Sequence, residues 1–211
     1  MSKSLYSLIL NDAVVEKIDT VAYTMNTNRS NLINQILADY VSFITPEKKI
    51  NYIFEHINQL ITNTIFSNYS EIVGRNLFLK TSLHYKYKPT IKYCVELYKS
   101  DNNTIGELKV LYRLNSEELL YKLSDFFTLI MQIEKKYIPS NVKYIIGEGK
   151  FIRTLNIPEN VRYSTEEIAK AIIDYISNFD VILKRYLENK ILSISQFEYE
   201  YKLYLTKSSI I

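Results

Sequence analysis

The sequence predicts an α+β chain in two parts, a small module over residues 1–45 and a larger domain over residues 46–211. Three observations carry this. Residues 4–10 read as a short strand whose side chains swap faces at each step, two runs of helical periodicity follow at once, and beyond residue 80 alternating segments are interspersed with long helical ones. The larger domain is therefore expected to hold a mostly antiparallel sheet and three long helices.

In the first part, Tyr6, Leu8 and Leu10 fall on one side of the strand, with Leu5, Ser7 and Ile9 on the other. Asn11 or Asp12 can cap a helix whose stripe is Val14, Ile18, Val21, Ala22 and Met25. Asn26, which tolerates the left-handed backbone, ends it. Asn28 caps a second helix with Leu32, Ile33, Ile36, Leu37, Tyr40 and Val41 on its apolar face, and Pro46 stops the pattern. One strand and two such helices cannot close a core alone. A second copy is required, each chain giving one strand to a two-stranded antiparallel ribbon.

These residues carry a resemblance. The run Leu8-Ile9-Leu10-Asn11-Asp12, the stretch Ile18-Asp19-Thr20-Val21-Ala22, the turn Asn26-Thr27-Asn28-Arg29-Ser30, and Leu32-Ile33 with Ile36-Leu37 make residues 4–43 similar to the ribbon-helix-helix family of bacterial and phage DNA-binding proteins, which includes the Arc, MetJ and CopG repressors. The resemblance implies a homodimeric regulator of transcription, acting on double-stranded DNA through a ribbon in the major groove. Carried over by position, Leu5, Ser7 and Ile9 form the reading face with Lys3 just before it, and Asn28, Arg29 and Ser30 form a phosphate clamp at a helix start.

The chain departs from the family at the ribbon. Forked Arg, Lys, Asn and Gln side chains match base edges, whereas Leu5 and Ile9 offer only contact with thymine methyl groups. Residues 1–45 also carry a net charge of −1, so phosphate attraction must come from elsewhere. An alternative follows, in which the module is a dimeric protein-interaction device of antitoxin or partition-adaptor type and its ribbon reads no DNA.

Residues 46–211 have a net charge of +4, slight for their length. A helix is expected over 47–68, from Ile50, Ile53, Phe54, Ile57, Leu60, Ile61 and Ile65. Leu83, Tyr85, Tyr87, Ile91, Tyr93, Val95 and Leu97 alternate with polar residues around Pro89, and Leu108, Val110, Tyr112 and Leu114 continue the pattern after the turn Asp101-Asn102-Asn103. Asn115 with Glu118, and Ser164 with Glu167, read as capping boxes for helices reaching about 137 and 189. Residues 142–146 and 151–155 flank Gly147-Glu148-Gly149-Lys150 as a hairpin turn rather than a phosphate loop. Phe197, Tyr199, Tyr201, Leu203 and Leu205 alternate as a last strand.

Lys80, Lys86, Lys88 and Lys92, interleaved with tyrosines, are candidate accessory phosphate contacts. On regular strands Lys86, Lys88 and Lys92 face away from the tyrosines, which favours a solvated sheet face whose lysines guard an edge. His84 and Cys94 invite comparison with nickel-responsive regulators, but two histidines and one cysteine are too few soft ligands, so neither a metal site nor a cofactor is expected. No catalytic arrangement of acid, base and nucleophile is recognisable, and an enzyme is not expected. A single cysteine and the absence of a long apolar run or a signal-type leader point to a cytoplasmic protein. A small effector or a protein partner could act at the larger domain.

Overall fold

A computed structural model describes residues 5–62, 64–66, 70–99, 102–139, 141–191 and 193–211. The chain divides into two compact units, Met1–Lys49 and Ile50–Ile211. The first holds α1 (Asp12–Thr24) and α2 (Arg29–Tyr40). Both caps lie where the sequence places them: the Asn11 side chain accepts from the Ala13 N–H at 2.9 Å, and that of Asn28 from the Asn31 N–H at 2.9 Å. Asn26 is left-handed at φ 50°, and the chain turns there as the Thr27 N–H reaches the Ala22 carbonyl.

Residues 5–10 have no strand partner among the described residues and are exposed throughout. The expected ribbon strand is thus not formed by one copy. Ala22, Leu32 and Ala38 are the buried apolar residues of α1 and α2.

Helix α3 (Pro46–Ile61), which belongs to the second unit from Ile50 on, starts with Thr45 Oγ1 accepting from the Lys48 N–H and with Pro46 in its first turn. It stops short of the expected residue 68, which lies outside the described residues. Thr64 takes the Ile61 carbonyl with both its N–H and its hydroxyl, closing the helix.

The sheet comprises β1 (Ser70–Val73), β2 (Asn76–Ser82), β3 (Thr90–Leu97), β4 (Thr104–Tyr112), β5 (Tyr144–Gly147) and β6 (Lys150–Asn156). It is antiparallel throughout, in the order β1-β2-β3-β4-β6-β5. One expectation changes here. Residues 83–88 form the β2–β3 turn instead of a strand, because Pro89 cannot continue a ladder and because Leu77 and Leu79 already supply the buried pair on β2. The Lys88 N–H closes this turn on the Tyr85 carbonyl. Gly106 lies so close to the Glu96 carbonyl that a Cβ there would meet it at 2.2 Å, so only glycine fits this kink in β4.

Helices α4 (Glu117–Tyr137), α5 (Thr165–Leu187) and α6 (Ile194–Leu205) complete the unit. Ser116 rather than Asn115 caps α4, and Ser164 with Glu167 forms the expected capping box of α5. Residues 194–205 are a helix and not the expected strand. Phe197, Tyr201 and Tyr204 fall on one helical face and are buried, while Tyr199 is left 63% exposed. Ser193 caps this helix by accepting from the Gln196 N–H.

One face of the sheet, with Leu77, Leu79, Ile91, Tyr93, Val95, Leu108, Val110, Phe151 and Leu155, shares a continuous core with the helices. Phe127 stacks on Phe151 at 4.7 Å between ring centres, and Phe126 meets Phe179 edge-on at 5.3 Å.

Glu198 ties α6 to α4 through Lys136, at 2.7 Å, and the Tyr137 hydroxyl. The hydrogen bond from Lys136, aided by that from Tyr137, lowers its pKa from 4.5 to about 2. A carboxyl depressed in the folded state adds stability above its unfolded pKa and loses it as pH falls through the folded value. Urea midpoints of wild type should therefore fall relative to those of Glu198→Gln between pH 4.5 and about 2. Parallel curves for the two proteins across that window would show that the tie adds nothing.

Candidate nucleic-acid interface

The reading face expected on the ribbon is fully open in the single chain: Leu5 is 99% and Ile9 103% exposed. Ser7 is exposed as well, and Lys3 lies outside the described residues. Leu10, on the opposite side of the alternation, is 39% exposed.

The clamp residues sit at the start of α2. Asn28 satisfies the third amide of the helix with its side chain, which leaves the amides of Arg29 and Ser30 as the open donors of the first turn. Arg29 is engaged elsewhere. Its guanidinium makes a forked pair with Asp19 of α1, Nε to Oδ1 at 2.7 Å and Nη2 to Oδ2. This hydrogen-bonded pair lowers the Asp19 pKa and raises that of Arg29. Because both groups are half exposed, the pair is open to competition from another anion.

The accessory lysines separate into two settings. Lys80 and Lys92 are directly opposite each other on β2 and β3, and Lys86 and Lys88 occupy the turn. The turn places Tyr87 between these two lysines, fully exposed and left-handed at φ 62°, with Lys88 also left-handed at φ 44°. The expected separation of lysines from tyrosines therefore fails at this tip, since strand alternation does not extend into it. Beside the tip, Tyr85, Lys86, Tyr87, Arg113, Ser116 and Glu118 border an open cleft of about 410 Å³.

The edge-guarding role expected of the lysines does not hold for Lys92: the edges of the sheet are β1 and β5, whereas Lys92 stands on β3 between β2 and β4. The register further brings Leu111 of β4 opposite Lys92, and Lys150 of β6 opposite Leu111. Lys150 was visible in the sequence as part of a hairpin turn, but its alignment with Lys80 and Lys92 depends on non-local pairing.

Other polar clusters have structural partners. The Asp180 carboxylate accepts from the Tyr93 hydroxyl at 2.9 Å and from Lys184 Nζ at 2.6 Å, and Lys184 also reaches Thr81 at 2.7 Å. Burial raises the Asp180 pKa against the opposing pull of Lys184. Asp180 and Tyr93 are both fully buried, so this cluster straps α5 to the sheet rather than facing a substrate. His84 pairs with Glu188, Cys94 is buried, and no group of three or more His, Cys, Asp or Glu able to hold a metal ion occurs among the described residues. Among the described residues no helix is long and apolar enough to cross a membrane. No protein-family model, curated protein or solved structure matches the chain.

Proposed function

We propose that the chain is a homodimeric, sequence-specific DNA-binding regulator of transcription, a repressor acting in the cytoplasm, whose N-terminal segments pair across a two-fold axis as a ribbon in the major groove. The observation that carries this reading is the uncovered apolar surface of the first unit. Val14, Val21, Met25, Ile36 and Leu37 are each between 44% and 56% exposed, although they lie on the stripes that the two capped helices were expected to bury. A second copy of the same unit would cover them, and would supply the strand that residues 5–10 lack.

In this arrangement Leu5, Ser7 and Ile9 point into the groove, where Ser7 hydrogen-bonds base edges and the two apolar side chains meet thymine methyl groups. The open amides at the start of α2 hold a phosphate. Arg29 joins them by exchanging Asp19 for phosphate, so Asp19 acts as an internal competitor.

The test is a pair of substitutions with opposite signs. Arg29→Ala should weaken binding to every DNA sequence and lower the salt slope by about one per chain, whereas Asp19→Asn should strengthen binding. Ser7→Ala and Ile9→Ala should instead change the preference among sequences. Selection of genomic fragments with the purified protein should return a palindromic motif.

A second reading, a dimeric protein-interaction module, draws on the apolar character of the ribbon and on the engagement of Arg29 by Asp19. Under it the same substitutions leave DNA affinity unchanged and no motif is recovered.

A further inference from the structure

We infer that the open face of the sheet in the second unit carries a strip that binds the phosphate backbone of nucleic acid, built on Lys80, Lys92 and Lys150. This goes beyond the ribbon reading, because the strip lies on another unit and does not require the ribbon. Register places Lys80, Lys92, Leu111 and Lys150 in one row across β2, β3, β4 and β6. Directly opposed residues of an antiparallel sheet point to the same face. Their neighbours Leu79, Ile91, Tyr93, Val110 and Phe151 are fully buried on the helical side, which assigns the lysines to the open one.

The charge arrangement is what needs a partner. Like charges directly opposed on neighbouring strands are destabilising, and no ion pair to Lys80, Lys92 or Lys150 occurs among the described residues. Lys92 Nζ instead lies 3.9 Å from the centre of the Phe78 ring. At the other end of the same face the charges are balanced: Lys109 Nζ lies 2.9 Å from both Glu96 and Glu107, and Arg75 lies 3.7 Å from Glu96. The face therefore runs from a neutralised end to a basic end.

Beyond the row lie further cations. Arg113, Lys86 and Lys88 are exposed at the same end of β2, β3 and β4, around the exposed Tyr87. The acids near them include Glu118, which pairs with Lys122 at 3.1 Å and lies beside Lys86 and the Tyr85 hydroxyl, Glu188, which pairs with His84 of the turn, and Glu148 in the β5–β6 turn next to Lys150. At about 4.8 Å per strand the row is about 14 Å long, which spans about four phosphates along the axis of one nucleic-acid strand. A linear polyanion matches a linear row. An anionic membrane would call for exposed aliphatic side chains between the lysines, and Leu111 in that row is half-buried.

The experiment uses the full chain. Lys80→Gln, Lys92→Gln and Lys150→Gln are combined, and Lys49→Gln, Lys135→Gln and Lys207→Gln serve as a control that removes equal charge from exposed positions elsewhere. Binding to random-sequence duplex DNA is titrated at several salt concentrations. The row variant should lose at least about tenfold in affinity at low salt and about two to three units of salt slope per engaged chain, with the control near wild type. Its melting temperature should be unchanged or higher, since a repulsive pair has been removed, so weaker binding cannot come from unfolding.

Equal losses in the row variant and the control, or an unchanged slope in the row variant, would overturn the inference. So would row-dependent binding to phosphatidylserine vesicles without any effect on DNA. Arg29→Ala, measured alongside, separates the two sites. If only Arg29→Ala weakens binding, the strip is wrong and the ribbon reading stands; if only the row variant does, the strip stands alone.

Discussion

Replacing Glu134 by Ala should destabilise the second unit by about 4–5 kcal/mol, the upper part of the range for breaking a buried ion pair. Glu134 and Arg153 are both completely buried and meet at 2.7 Å. The carboxylate is also the acceptor for three hydroxyls, from Tyr144 and Tyr175 at 2.7 Å and from Tyr201 at 3.1 Å. Arg153 lies over the Tyr175 ring at 4.2 Å and donates to the Ile211 carbonyl at 2.5 Å. Burial, the largest single influence, would lower the Arg153 pKa, but the charge and hydrogen bond of Glu134 together with Tyr175 and Tyr201 outweigh it and the pKa is raised. Removing Glu134 leaves a buried cation and three hydroxyls without their acceptor, and adds a cavity.

Arg153→Met should also destabilise the unit, because it leaves the Glu134 carboxylate buried without its cation. A cost for Glu134→Ala under about 1 kcal/mol would mean that the cluster is hydrated rather than sealed.

That cluster was not legible in the sequence, and the reason is physical. Glu134 appears as a charged residue in a helix, and Arg153 as a charged residue in a strand with buried neighbours at 151 and 155. Only the packing of α4, α5, α6 and the sheet shows that each is the other's partner. The same non-local dependence hid the lysine row, since register across four strands cannot be read from any one of them.

Local signals are legible where they have no competitor. Asn11, Asn28 and Ser164 cap helices as their side-chain chemistry requires, and Gly149, left-handed at φ 66°, makes the β5–β6 turn. Residues 194–205 had two readings. The alternation of Phe197, Tyr199, Tyr201, Leu203 and Leu205 fits a strand, but positions 197, 201 and 204 also fit a helix. The helix wins because it buries two tyrosines and a phenylalanine against the core while Glu198 and Glu200 reach Lys136 and Arg185.

The first unit depends on what the chain cannot supply by itself. Val21 is 44% and Leu37 51% exposed on helices whose own packing buries only small or few side chains. If two copies close over these positions, Val21→Asp places a carboxylate on each side of an apolar interface with no partner cation. At several kcal/mol for an unpaired buried charge, the two copies together should raise the dissociation constant at least about a thousandfold. Sedimentation should then find wild type as a dimer at micromolar concentration and Val21→Asp as a monomer whose second unit keeps its near-ultraviolet circular dichroism. Asn34→Asp adds the same charge at an exposed position of α2 and should leave the dimer intact. A wild-type chain that sediments as a folded monomer at that concentration would remove the two-fold ribbon, and with it the arrangement on which DNA reading rests.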